Sequence, residues 1–235
     1  DNYAYLFQNF KIWKTAAKEK QGKFPVIFLT LKGIKKGSWD EAYKGMQSLI
    51  AEEFKRHRYL LDYLYDDEKK DFQDIIDQTS NSQNLFENSL KLLTRYLQKH
   101  YDQRVIILID EYDTPIHDAY LCEYYEPMVS FMRNWFTEGL KDNASLEKAV
   151  LTGILRISKE SIFSGLNNPG CYTLLDKKFG DKFGLLEEEV SCLLKEHAIS
   201  QQIEEIRKWY NGYQIAPIFY TIPGLFYNAL KMKGI

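Results

Sequence analysis

The run Arg104 to Asp110 (RVIILID) constrains this chain most: five consecutive aliphatic residues empty abruptly into Asp110, Glu111, Tyr112 and Asp113. Such a run falls far short of the ~20 residues of a membrane-crossing helix. It reads instead as a strand covered on both faces, the kind found inside parallel sheets. Two other runs read the same way: Phe24 to Leu31 (FPVIFLTL), bounded by Gly22 and Gly33, and Lys148 to Leu155 (KAVLTGIL). Parallel neighbours need crossovers of a dozen residues or more, and the interval before Lys148 is long enough for a crossover helix.

The intervening segments supply helices. Ser38 and Glu41 form a capping box, and Tyr43, Met46, Leu49, Ile50 and Phe54 follow at helical spacing, predicting a helix over 39–57. Phe86, Leu90, Leu93 and Leu97 make an apolar stripe that predicts a second helix over 83–100. A third is expected over 123–141, after Thr114-Pro115. Tyr3 to Lys20 reads as a helix or a helix pair, and Tyr59 to Gln78 has only weak periodicity. Residues 156–184 are rich in Gly, Asn and Ser and read as a functional loop, with at most a short strand at Cys171 to Leu175. Beyond it, helices are expected at Glu187 to Glu196, Gln201 to Trp209 and Leu225 to Lys231, with a hairpin or edge strand at Tyr213 to Tyr220. Alternating strands and helices indicate an α/β layered fold with a mainly parallel sheet, whose ligands gather at the carboxyl ends of the strands. Asp110 and Glu111 stand at such an end.

Composition excludes several classes. With 45% hydrophobic and 15% aromatic residues, the 235-residue chain has ample material for a core and is not a disordered segment. A net charge of −2 shows no basic excess for nucleic acid or an anionic membrane. Cys122, Cys171 and Cys192 are odd in number and far apart, which argues against a disulfide framework or zinc ribbon and fits a reducing cytoplasm. No apolar signal core occupies residues 1–20, so neither membrane insertion nor export is expected.

Aliphatic residues followed by Asp-Glu form the Walker B arrangement of P-loop ATPases, and the chemistry suits these side chains. Asp110 would hold Mg²⁺ directly or through water, because a hard dication takes carboxylate oxygen. Glu111 would polarise the water that attacks the γ-phosphate of ATP. Thr152 on the next buried strand and Arg156 just beyond it fall at the same sheet edge, where a polar group can sense phosphate or water and an Arg can stabilise phosphoryl charge. Each has a plainer reading: a strand ending in a solvated acidic turn, and Arg156 in a surface ion pair with Glu160. The sequence holds no G-x-x-x-x-G-K-[ST], and Gly33 to Ser38 (GIKKGS) does not supply one. His57, His100, His117 and His197 are scattered, G-x-S-x-G is absent, and Glu53-Phe54-Lys55 falls in a helix, which leaves zinc, serine-hydrolase and nuclease chemistry with little support.

The chain resembles the AAA-ATPase-like family of bacterial proteins often joined to a C-terminal PD-(D/E)XK nuclease-like domain. The matching stretches include Tyr5-Leu6-Phe7, Phe24 to Leu31, His57-Arg58-Tyr59-Leu60, Ile107 to Ile116 (ILIDEYDTPI), Leu151 to Leu166 (LTGILRISKESIFSGL) and Trp209 to Tyr213. The resemblance implies a P-loop NTPase core over 1–184 and a small helical, lid-like C-terminal region over 185–235. It makes Asp110 and Glu111 the Walker B pair, adds Asp113 as a further nucleotide-site acid, and places Thr152 and Arg156 in the sensor strand and its loop. Family members carry a strand, a phosphate loop and a helix ahead of this region, and this sequence lacks them, so the fold is expected to be incomplete and nucleotide binding by this chain weak. ATP and Mg²⁺ are the cofactors implied, and a nuclease-like domain the implied partner. The alternatives are a non-catalytic scaffold that binds a protein partner through Tyr- and Phe-rich surface and, with lower weight, a DNA-associated factor.

Overall fold

The computed structural model describes residues 3–80, 82–154, 162–163, 166, 169–173, 176, 178, 185–196, 208, 211–215 and 218–221. The chain divides into two compact units, Asp1–Pro169 and Gly170–Ile235.

The first unit is built on three parallel strands in the order β1 (Val26–Thr30), β2 (Val105–Asp110) and β3 (Leu146–Leu151). The register sets Thr30 beside Asp110 and Ile109 beside Leu151, so all three strands deliver their carboxyl ends to one edge. Between β1 and β2 lie α1 (Trp39–Arg56), α2 (Asp66–Asp77), α3 (Gln83–Glu87) and α4 (Ser89–Tyr101); between β2 and β3 lie α5 (Thr114–Leu121) and α6 (Tyr125–Leu140). The α/β architecture with a parallel sheet is the one the sequence pattern predicts.

Local chemistry explains the boundaries. The Ser38 hydroxyl accepts the Glu41 amide at 3.4 Å, Asp40 and Glu41 occupy the first turn of α1, and Lys55 and Arg56 the last, each complementing the helix dipole. The single helix expected over 83–100 is interrupted at Asn88, where the side-chain amide shares the Asn84 carbonyl with the backbone amide, at 2.9 and 3.0 Å. The stripe itself holds: Phe86, Leu90, Leu93 and Leu97 are all buried. Two helices have weak sequence signals. Asp66, Asp67 and Glu68 open α2, while α5 starts after Asp113 with Pro115 in its first turn. Tyr3 to Lys20 forms three short 3₁₀ turns with no buried residue.

Strand burial corrects one expectation. Side chains alternate across a strand, and one face of the sheet (Ile27, Leu29, Val105, Ile107, Ile109) is packed beneath the helices. On the other face Val26, Phe28 and Val150 are 39%, 47% and 42% exposed, so the strands are covered on one side only among the described residues. The sequence could not reveal this because both alternating sets are apolar. The core between sheet and helices holds Met46, Phe54, Leu97, Phe131, Trp135 and Phe136. Helix α6 approaches α4 closely at Gly139, where a Cβ would stand 2.7 Å from the Cβ of Leu90.

In the second unit, α7 (Glu187–Glu196) matches its expected bounds, and β4 (Asn211–Ile215) pairs antiparallel with β5 (Ile218–Thr221) as the expected hairpin. The helices expected over 201–209 and 225–231 and the second half of the strand expected at 171–175 lie outside the described residues. Cys122, Cys171 and Cys192 are free thiols. No described helix is long and apolar enough to cross a membrane.

Candidate functional site

Strand β2 carries Asp110 as its last residue, half-buried and in register with Thr30 of β1. The Asp110 carbonyl accepts the Leu31 amide at 2.9 Å, which fixes its backbone between neighbours. On the other side, the Thr152 amide donates to the Ile109 carbonyl at 2.9 Å and the Tyr112 amide donates to the Thr152 carbonyl at 3.1 Å. Parallel pairing thus continues past the end of both strands and carries Thr152 to the acid. The Thr152 hydroxyl donates to Asp110 Oδ1 at 2.6 Å, a short charge-assisted bond, and Oδ2 has no protein partner among the described residues.

Glu111 adopts φ 53°, the left-handed region that a non-glycine residue enters at a cost of about 1–3 kcal/mol. This residue turns the chain at the strand end. The Thr114 amide donates to the Glu111 carbonyl at 3.1 Å, and the Thr114 hydroxyl donates to Glu111 Oε2 at 3.2 Å. The carboxylate is half-buried. Adjacent acids therefore point to different partners, Asp110 to Thr152 and Glu111 to Thr114.

Asp113 is buried, and its Oδ2 accepts the Ile154 amide at 3.0 Å. Gly153 packs directly on it: a Cβ there would lie against Asp113 Oδ1 and 2.9 Å from both the Asp113 Cγ and the Tyr112 ring. The 152–154 segment is therefore laced to the Asp110–Asp113 turn by side chain as well as backbone. A second brace holds the loop after β1, where Asp118 Oδ2 accepts the Lys36 amide at 2.6 Å and the Tyr124 hydroxyl at 3.0 Å. Burial, and then the Asp118 carboxylate, push the Tyr124 phenol up to about 12.

Asp110, Glu111, Asp113 and Thr152 thus meet at one sheet edge, whereas Arg156 lies outside the described residues. Thr114 and Gly153 also belong to the arrangement. Thr114 could have been suspected from Thr-Pro opening a helix; Gly153 carried no signal, because its packing partner is distant in sequence. Among the described residues no three His, Cys, Asp or Glu side chains converge as a metal cage. A carboxylate with one free oxygen beside a hydroxyl nevertheless fits Mg²⁺, which keeps most of its shell as water and phosphate oxygen and takes few protein ligands.

A family model described as "Predicted AAA-ATPase" matches residues 1–163, more than half of the chain. A curated relative from Azotobacter chroococcum mcd 1, "Uncharacterized protein in vnfD 5'region", is 34% identical over 112 residues, covering 47% of this chain and 22% of the relative. The match thus takes in less than a quarter of that relative's length. No solved structure matches.

Proposed function

This chain belongs to the Predicted AAA-ATPase family, and from that premise we propose that Asp110, Glu111 and Thr152 form the magnesium- and water-handling part of an ATP-hydrolysing site. The observation that supports the reading best is the 2.6 Å bond from Thr152 to Asp110, which joins the two strand ends and holds one carboxylate oxygen while leaving the other open. When bound, Mg²⁺ supplies charge neutralisation at the β- and γ-phosphate oxygens.

The chain's own groups divide the remaining work. Asp110 would hold the metal, directly or through water, with its open oxygen, and the Thr152 hydroxyl fixes the plane of that carboxylate. Glu111, turned aside by its left-handed backbone, accepts the proton of the attacking water as the bond from the γ-phosphorus to its bridging oxygen breaks and that electron pair leaves with ADP. Asp113 keeps the Thr152–Ile154 segment against the acids. Arg156 enters on its sequence position alone, as the group that would stabilise phosphoryl charge. The sequence has no glycine and lysine loop to cradle phosphate, so on this reading another segment or chain would have to supply that cradle. Coupling to a nuclease-like domain belongs to the same proposal and rests on the family resemblance.

Calorimetry with Mg-ATP tests the division of labour. Residues 1–235 alone should give little heat, and the protein made from its full reading frame should bind. Tight binding by residues 1–235, or none by the longer protein, would contradict the proposal. The open sheet face at Val26, Phe28 and Val150 favours a second reading, a scaffold that docks a protein partner without catalysis.

A further inference from the structure

At the opposite end of the sheet from Asp110, a cavity of about 680 Å³ opens between the start of β1, the end of α1 and the end of α4. That is the size range of small-molecule sites. Phe24 and Val26 supply apolar wall, Lys23 a cation, and His57, Tyr59 and Tyr101 a polar wall.

The polar wall is a hydrogen-bonded chain whose direction is set by the protonation of His57. Glu53, only 5% exposed, receives Arg56 Nη1 on Oε2 at 2.7 Å and meets His57 Nε2 through Oε1 at 3.3 Å. An ionised carboxylate can only accept, so the Nε2 proton of a neutral imidazole lies there and Nδ1 is a bare acceptor. The Tyr59 hydroxyl, 3.1 Å from Nδ1, must then donate to it, and the Tyr101 hydroxyl, 2.8 Å further on, donates to the Tyr59 oxygen. Burial, reinforced by Tyr101, pushes the Tyr59 phenol up, so it stays a donor. In this state the last oxygen, on the half-exposed Tyr101, has no proton to offer the cavity. Protonating His57 at Nδ1 reverses the chain: Nδ1–H donates to Tyr59, Tyr59 to Tyr101, and Tyr101 presents its O–H to the cavity that Lys23 also lines. Glu53 on α1 and Tyr59 on the following turn touch His57 directly; Arg56 stands on Glu53, His100 and Tyr101 of α4 pack against Tyr59, and Lys23 before β1 lines the same cavity.

We propose that this cavity binds a small monocarboxylate with an apolar body, and takes up one proton on His57 as it does so. The carboxylate accepts from Tyr101 and Lys23, its body rests on Phe24 and Val26, and the imidazolium charge is met by Glu53. The proton comes from solvent, and no bond of the ligand changes. The site is independent of the ATPase reading.

Benzoate titrated calorimetrically into residues 1–235 in two buffers of different ionisation enthalpy tests this. The expected result is binding that strengthens on acidification, with heats differing by about one proton's worth of buffer ionisation. Tyr101→Phe, which removes only a half-exposed hydroxyl, should weaken benzoate roughly tenfold or more, and His57→Gln should abolish the buffer dependence. Should His57→Gln fail to fold, Tyr101→Phe and the wild-type buffer comparison decide. Absence of benzoate binding, heats independent of buffer, or undiminished affinity in Tyr101→Phe would each overturn the proposal.

Discussion

Gly153→Ala probes how tightly the two strand ends are laced together. The new Cβ would lie against Asp113 Oδ1 and 2.9 Å from the Asp113 Cγ and the Tyr112 ring, closer than carbon contacts allow. Asp113 is buried and Tyr112 nearly so, so neither can swing into solvent without cost. Overpacking of this kind costs about 1–3 kcal/mol. If the carboxylate moves instead, the Ile154 amide loses a charge-assisted acceptor, a loss of roughly 1.5–3 kcal/mol. The chain can choose the cheaper route, so the expected destabilisation is about 2–3 kcal/mol. Urea unfolding followed by the fluorescence of buried Trp135 measures it. A double-mutant cycle sharpens the test: in an Asp113→Ala background two of the three close contacts are gone, and the Gly153→Ala penalty should shrink by about 1 kcal/mol. A penalty below about 0.5 kcal/mol, the range of ordinary surface changes, or one unchanged by Asp113→Ala, would refute the packing argument.

Gly139→Ala should destabilise by a further measure of about 1–3 kcal/mol in the same assay, because its Cβ would meet Leu90 at 2.7 Å between α4 and α6. Ser38→Ala should cost about 1 kcal/mol through loss of the α1 cap, and Ser38→Asp should restore most of it. The phenols of Tyr96 and Tyr124 are both raised to about 12, chiefly by burial, from an ordinary value of 10.0. Because the folded values exceed the unfolded one, their contribution is fully present below pH 10 and is lost as pH rises towards 12; the alkaline unfolding midpoint of Tyr124→Phe should show a shallower pH dependence than wild type.

The layered α/β plan was legible because its signals are strong and local: three aliphatic runs gave β1, β2 and β3, and a capping box gave the start of α1. The candidate site was legible for the same reason at Asp110 and Glu111, which close the most aliphatic run, and at Thr152, which directly follows β3. What escaped the sequence depends on contacts between distant residues. The open face of the sheet could not be told from a covered one, since Val26 and Phe28 are as apolar as Ile27 and Leu29. The helix breaks at Asn88, where side chain and backbone share one carbonyl, and an amphipathic stripe carries no trace of that. Asp113 reads as another exposed acid of a polar cluster, yet the structure buries it beneath Gly153, forty residues on in the chain. His57 and Tyr59 looked scattered because Tyr101 and Glu53 reach them only in the fold.

The central claim is that the acids ending β2 serve a nucleotide, and Glu111→Gln in the protein made from its full reading frame tests it most directly. Steady-state hydrolysis of Mg-ATP should fall by about 10²–10⁴, the usual contribution of a general base, while Mg-ATP binding persists. Hydrolysis that survives the substitution undiminished, or a wild-type protein that neither binds nor cleaves ATP, would contradict the account.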